Sequence, residues 1–67
     1  MKKLSKQEQI VLMSLKMGHK NKMIAKMLFI NEKTVSTYVN RIRQKLELKP
    51  AANTYKLVNT AIQNDLI

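Results

Sequence analysis

Two helix-forming segments separated by a short break occupy residues 21–46, and this arrangement constrains the fold more than any other feature of the chain. Apolar residues recur at helical spacing on both sides of the break. They are Ile24, Ala25 and Leu28 before it and Val35, Val39, Ile42 and Leu46 after it. The break, Phe29-Ile30-Asn31, has the length of the link in a helix-turn-helix unit. We expect Phe29 and Ile30 to turn inward and Asn31 to cap the following helix.

A further helix is predicted on each side of this unit. Ser5 and Glu8 form a capping-box pattern at the start of the first one, and Gly18 supplies a left-handed residue at its end. Pro50 interrupts the helical pattern before the last one, and Asn21 is the predicted cap of the second. The sequence therefore predicts an all-α fold, a single domain over residues 1–67 with helices at about 6–17, 22–28, 32–47 and 54–63.

The third predicted helix carries polar side chains opposite its apolar stripe. At about 100° per residue, that face presents Lys33, Ser36, Thr37, Asn40 and Gln44. A solvated helix face usually pairs Glu with Lys four residues apart. No acidic residue lies between Lys33 and Lys45, so this face indicates contact with nucleic acid.

The composition agrees with an anionic partner. Thirteen Lys and Arg residues stand against four acids, which gives a formal net charge of +9 and a pI near 10.2. Such an imbalance is typical of domains that bind nucleic acid. No apolar run approaches the roughly 18 residues of a membrane span. Residues 6–9 are polar where the core of a signal peptide would follow the basic residues 1–3, so we expect a cytoplasmic protein without membrane contact.

The sequence offers little for catalysis or metal binding. It contains no cysteine, and its single histidine, His19, has no nearby acid with which to build a metal site or a triad. The acids Glu8, Glu32, Glu47 and Asp65 are scattered along the helices, and the methionines fit an adaptable core better than a cofactor site. We expect no enzyme activity, metal, cofactor or small-molecule ligand.

Several short motifs stand at unbroken spacing along residues 4–46. They are Leu4-Ser5-x-x-Glu8-x-x-Val11-Leu12, Gly18, Asn21-Lys22-x-Ile24-Ala25, Leu28-Phe29-Ile30-x-Glu32-Lys33-Thr34-Val35 and Lys45-Leu46. Together they resemble the LuxR/FixJ-type (GerE-like) helix-turn-helix domain of bacterial transcription regulators. The resemblance implies four helices, of which the third enters the DNA major groove and the fourth forms a dimer contact.

The resemblance also assigns residues to roles in sequence-specific binding of double-stranded DNA by a homodimer. Base contacts are implied at Lys33, Ser36, Thr37, Asn40 and Gln44. Phosphate contacts are implied at Lys22, Thr34, Arg41, Arg43 and Lys45. The dimer interface is implied at Tyr55, Leu57, Val58, Ala61 and Ile62. Glu8 is expected to form hydrogen bonds within the domain. Side-chain chemistry further suggests that Asn40 pairs with adenine through both atoms of its amide.

The sequence departs from the family pattern at three places. Tyr38 stands where the family commonly has histidine. Glu47 replaces the glycine that usually follows the Lys-Leu pair, so the exit from the third helix loses its easy left-handed residue. Residues 49–54 replace the usual opening of the fourth helix and lengthen the joint before it, which alters the expected dimer geometry.

Two other functions fit parts of the sequence. A stand-alone module of this kind can form a mixed dimer with a larger regulator and act through protein contact alone. The basic, acid-free face of the third helix favours DNA over that alternative. A cationic peptide lying on a membrane surface would need a broad apolar face, and the predicted caps Asn21 and Asn31 between helices argue against it.

Overall fold

The computed structural model describes residues 3–67, so the interpretation of Met1 and Lys2 as part of a basic N-terminal segment lies outside the described part. Its helices are α1 (Lys6–Lys16), α2 (Asn21–Leu28), α3 (Glu32–Lys45) and α4 (Thr54–Gln63). No strand occurs in residues 3–67, and the all-α prediction is confirmed. The third helix is shorter than predicted, since Leu46 is its C-cap and Glu47 has left-handed geometry. None of the described helices is long and apolar enough to cross a membrane.

Helix α3 is the element on which the domain is assembled. Both α1 and α2 pack on it, and α4 packs on α1. The apolar stripe of α3 is buried, and its residues Val35 and Ile42 are completely inaccessible to solvent. Leu12 of α1, Ile24 of α2 and Leu57 of α4 belong to the same buried cluster. Burying side chains of this size contributes about 1.5–3 kcal/mol each, so the cluster fixes which face of α3 remains outside.

Side-chain caps begin α1, α3 and α4. The capping box at α1 is confirmed, because Glu8 N donates to Ser5 Oγ and Ser5 N donates to Glu8 Oε1. Asn31 accepts from the Thr34 amide at 2.8 Å, as predicted. Asn53 caps α4 in the same way.

The predicted cap of α2 is wrong. Lys20 occupies the cap position with extended backbone and forms no side-chain cap hydrogen bond, while Asn21 is the first helical residue. A capping side chain must come from a residue with non-helical backbone geometry to reach the free amides of the first turn. Asn21 therefore does not cap the helix that it begins.

Each of the four helices in residues 3–67 is followed by a residue with positive φ. These residues are Gly18, Phe29, Glu47 and Asp65, with φ of 95°, 57°, 59° and 57°. At each end two successive amides bond back to carbonyls of the last turn, as the Glu47 and Leu48 amides do to Gln44 O and Arg43 O. This is the Schellman motif. The sequence predicted it only at Gly18, because glycine alone adopts this geometry without steric cost.

Phe29 is the clearest departure from expectation in the turn between α2 and α3. It was expected to turn inward, but its side chain is 96% exposed. Its left-handed backbone reverses the chain, so that Phe29 faces solvent while Ile30 packs against the core. Only one of the two apolar residues in the turn therefore contributes to the interior.

Glu8 joins the beginning of α1 to the end of α3. Its carboxylate is 2% exposed and accepts hydrogen bonds from Lys45 Nζ at 2.6 Å and from the Ser5 amide at 2.7 Å. Burial raises the pKa of this carboxyl, but the hydrogen bonds and the charge of Lys45 outweigh it and hold the pKa of Glu8 below its ordinary value. Glu8 thus has the intramolecular hydrogen bonds that the resemblance implies.

Stability should therefore fall in acid through protonation of Glu8. A carboxyl whose pKa is lowered by folding stabilises the folded state above its unfolded pKa, near 4.3, and loses that contribution as the pH falls through the folded pKa. We expect the thermal midpoint to drop below about pH 5, and Glu8→Gln to be less stable at pH 7 with a flatter profile in acid. Thermal unfolding by circular dichroism from pH 7 to 3 measures this. Glu32→Gln, which removes an exposed carboxyl, should keep the wild-type profile; equal flattening in both variants would contradict the assignment.

Relief of the left-handed strain at residue 47 should stabilise the domain. An L-residue in this geometry costs roughly 1–2 kcal/mol, part of which glycine returns through its greater freedom in the unfolded chain. We expect Glu47→Gly to raise the free energy of unfolding by about 0.5–1 kcal/mol in urea denaturation. Glu47→Ala is the matched control and should bring no such gain, because alanine meets the same steric cost. An equal gain in both variants would point to removal of the Glu47 charge instead.

Candidate nucleic-acid interface

The residues predicted to contact bases share one exposed surface, which we call the α3 face. It consists of Lys33, Ser36, Thr37, Asn40 and Gln44, all of them exposed. The opposite side of α3 is held in the core by Val35, Val39 and Ile42. The structure thus brings this set together on one surface; its contact with bases stays a prediction.

Hydrogen bonds within the domain limit the donors and acceptors that two of these side chains can offer to a base. Thr37 Oγ1 donates to Lys33 O at 3.0 Å, so its hydroxyl proton is used within the helix while the oxygen and the methyl group stay available. Asn21 Nδ2 donates to Ser36 Oγ at 3.5 Å, a long contact that links the first residue of α2 to the α3 face.

Asn40 is held by a neighbouring arginine. Arg43 Nη1 donates to Asn40 Oδ1 at 2.9 Å. The same guanidinium donates through Nε to Ala52 O, also at 2.9 Å, in the joint between α3 and α4. Arg43 was predicted to contact phosphate, but the structure engages two of its nitrogens within the domain.

The other predicted phosphate contacts divide into two groups. Lys22 and Arg41 are exposed, so their charges lie at the surface of the domain. Thr34 Oγ1 donates to the capping oxygen of Asn31 at 2.9 Å. The Lys45 ammonium pairs with Glu8 at 2.6 Å, and its contact with phosphate stays a prediction that competes with this ion pair. Its position in the last turn of α3 carries it over the start of α1, where the buried carboxylate attracts it.

Tyr38, which replaces the histidine common in the family, lies at the edge of the α3 face. Its half-buried ring packs against the core, and the guanidinium carbon of Arg41 lies 5.9 Å from the ring centroid. This is a cation–π distance. The ring therefore restricts Arg41 while leaving its charge exposed beside the α3 face.

Helix α4 contains only part of the predicted dimer surface. Leu57 and Ala61 are completely buried in the domain's own core, which corrects their assignment to an interface. They lie on the side of α4 that packs on α1. Tyr55 is 78% exposed and Ile62 is 42% exposed, and Val58 is half-buried. These three residues form what we call the α4 surface.

The described residues contain neither a cluster of metal-binding side chains nor an unsatisfied buried polar side chain. Within residues 3–67, no three His, Asp or Glu side chains lie close enough together to hold a metal ion. Every buried side-chain nitrogen and oxygen of that range has a hydrogen-bond partner. The interior therefore presents no unsatisfied polar group to a ligand.

Sequence reasoning missed the contact between Arg43 and Ala52. The three-residue spacing of Asn40 and Arg43 is a signal for their contact, because residues three apart are neighbours on a helix. No sequence signal places the Ala52 carbonyl beside α3, since that depends on the path of the joint after Leu48. There Pro50 lies in a turn closed by a hydrogen bond from Ala52 N to Lys49 O.

This geometry can be compared with known proteins. The family model described as bacterial regulatory proteins of the luxR family matches residues 2–58. The chain belongs to this family. Membership confirms the predicted LuxR-type helix-turn-helix domain. No solved structure gives a significant match.

Curated relatives of this LuxR-family domain come from several bacteria. The chain is 45% identical over 64 residues to a protein of Pseudomonas aeruginosa named "Putative transcriptional regulator", covering 96% of this chain and 30% of the relative. It is 43% identical over 63 residues to BvgA of Bordetella pertussis, named "Virulence factors putative positive transcription regulator", with coverage of 94% and 29%. It is 46% identical over 52 residues to the "DNA-binding transcriptional activator EvgA" of Escherichia coli, with coverage of 78% and 26%. The chain thus spans less than a third of the length of these relatives.

Proposed function

We propose that this LuxR-family domain recognises specific sequences of double-stranded DNA and regulates transcription, with α3 lying in the major groove. The observation that carries the proposal is the α3 face, which is polar, free of acidic residues and exposed, while the opposite side of the helix is buried in the core. The major groove is about 12 Å wide and admits an α-helix. Because the opposite side of α3 is buried, the residues of the α3 face are the ones that would meet the base edges.

Two energetic contributions support binding. Exposed cations such as Lys22 and Arg41 attract phosphates and release counterions, which gives affinity that depends on salt but not on sequence. Hydrogen bonds from the α3 face to base edges supply discrimination, about 1–3 kcal/mol for each good bidentate pair. We assign the first role to Lys22 and Arg41 and the second to Lys33, Ser36, Thr37, Asn40 and Gln44.

The names of the relatives support the same function. EvgA is named as a DNA-binding transcriptional activator, and the Pseudomonas and Bordetella proteins are named as transcription regulators. Their similarity to this chain lies in the segment that contains the α3 face. A regulator of this kind acts on the bacterial chromosome, so we place the protein in the cytoplasm.

A homodimer through the α4 surface completes the proposal. A domain of this size makes few base contacts, and a two-fold dimer that reads two half-sites doubles them. Tyr55 and Ile62 are the exposed apolar residues of α4. The same surface would serve a mixed dimer with a larger regulator, which is the alternative function. A mobility shift on random DNA separates the two, since an adaptor that acts by protein contact alone gives no shift even at low salt.

Substitution of base-reading and phosphate-binding residues should have different effects. Asn40→Ala should lower discrimination at one base position by about fivefold. Lys22→Ala should weaken all sequences to a similar degree and reduce the slope of log affinity against log salt by about one. Selection from a randomised DNA pool and titrations at several salt concentrations measure both effects. Asn59→Ala, which removes an exposed asparagine of α4, is the control and should keep the wild-type preference. Equal loss on all sequences in Asn40→Ala would contradict the assignment.

The α4 surface should determine the oligomeric state on DNA. Ile62→Glu places a charge among the exposed apolar residues of α4, and we expect a complex with one protomer where the wild type forms one with two. Ile10→Glu is the matched control, because Ile10 is 36% exposed on α1, and should leave the stoichiometry unchanged. Analytical ultracentrifugation with labelled DNA measures it. A two-protomer complex in Ile62→Glu would place the dimer contact elsewhere.

A further inference from the structure

We infer that Arg43 is a specificity-determining positioning residue, which holds Asn40 so that the amide nitrogen rather than the oxygen meets the base. The inference rests on the proposed DNA-binding function. It changes the role of Arg43 from phosphate contact to orientation of a base-reading side chain, and it changes the base that Asn40 reads.

The first support is the two-ended anchoring of the guanidinium. Nε donates to Ala52 O and Nη1 donates to Asn40 Oδ1, each at 2.9 Å. The guanidinium is planar and rigid, so two hydrogen bonds from different nitrogens fix its orientation. Arg43 is half-buried, which further restricts the movement of its side chain. Arg43 is thus anchored to the backbone of the joint as well as to Asn40.

The second support is the chemistry of the contact with Asn40. Arginine offers only donors, so the amide atom that faces it must be the oxygen. Nδ2 is then the branch of the carboxamide turned away from Nη1, on an exposed residue of the α3 face. In this state Asn40 offers hydrogen-bond donors to an approaching base edge.

The base that fits this orientation differs from the adenine expected for a free asparagine. Bidentate recognition of adenine needs the amide oxygen to accept from N6 while the amide nitrogen donates to N7. Arg43 engages one of the two lone pairs of the oxygen and holds the oxygen toward the guanidinium. Donation from Nδ2 to N7 then becomes the principal contact, and both adenine and guanine present N7 in the major groove. The orientation therefore gives Asn40 a purine preference that distinguishes adenine from guanine only weakly.

The contact with Ala52 connects this preference to the joint between α3 and α4. Ala52 lies in the segment where the sequence departs from the family pattern, directly before the Asn53 cap of α4. The path of that segment places its carbonyl within reach of Nε. The altered joint thus helps to orient a base-reading side chain, in addition to connecting α3 to α4.

The test compares base preferences of the wild type, Arg43→Met, Arg43→Lys and Asn40→Ala by selection from a randomised DNA pool, with affinities measured over a salt series. Circular dichroism confirms that each variant is folded. The position read by Asn40 is identified as the one at which Asn40→Ala loses preference. We expect the wild type to accept adenine and guanine similarly there. Arg43→Met should favour adenine by about fivefold or more, because the Asn40 carboxamide of that variant is free to turn both its oxygen and its nitrogen to the base.

Arg43→Lys separates orientation from charge. Lysine keeps the positive charge but has no second nitrogen with which to bridge Ala52 O and Asn40 Oδ1. We expect its salt dependence to equal that of the wild type and its base preference to move toward that of Arg43→Met. In the Asn40→Ala background, Arg43→Met should change the preference no further, since the effect acts through Asn40.

The possible failures are distinguishable. If Arg43→Met weakens all sequences equally and lowers the salt slope by about one, Arg43 is a phosphate contact and the inference is wrong while the proposed function stands. An unchanged adenine-to-guanine ratio at the Asn40 position in Arg43→Met would also contradict the inference and would leave the proposed function standing. If the wild type selects no sequence at all from the pool, the proposed function fails and the inference fails with it.

Discussion

The buried carboxylate of Glu8 is the interaction on which the geometry of the domain depends. It closes the capping box of α1 and pairs with Lys45, 37 positions along the chain at the end of α3. Replacing a buried ion pair with apolar side chains is often neutral for stability. We therefore interpret the pair chiefly as fixing the orientation of α1 relative to α3. The pair ties the start of α1 to the end of α3 at one defined point.

Polar interactions at its ends complete the positioning of α3. Asn31 caps the first turn, and the left-handed Glu47 ends the helix in a Schellman motif without the help of glycine. From the last turns Arg43 reaches across to Ala52. A small monomeric core supplies only roughly 3–5 kcal/mol. Each of these contacts is therefore a sizeable fraction of the stability, and strain at Glu47 is tolerated because the surrounding hydrogen bonds hold it.

Local patterns correctly predicted the four helices of residues 3–67, and they failed where a residue depends on its neighbours in space. The capping box and the Asn31 cap follow from short-range spacing and are confirmed. Asn21 and Phe29 were misplaced because the backbone conformation at positions 20 and 29 is set by how α2 is joined to α1 and α3. Leu57 shows the same limit: its apolar character indicates burial, but only the packing of α4 on α1 decides that its own domain buries it.

The sequence by itself determined the helices, the buried stripe of α3 and the acid-free face opposite, because helical periodicity and charge are local properties of the chain. Only the tertiary structure decided which of the basic residues stay free. Lys22, Arg43 and Lys45 carry the same charge in the sequence, yet the first is exposed, the second braces Asn40 and the third neutralises Glu8. The physical reason is that a hydrogen bond or an ion pair requires atoms within about 3–4 Å of each other, and residues distant in sequence meet that condition only through the packing of the helices.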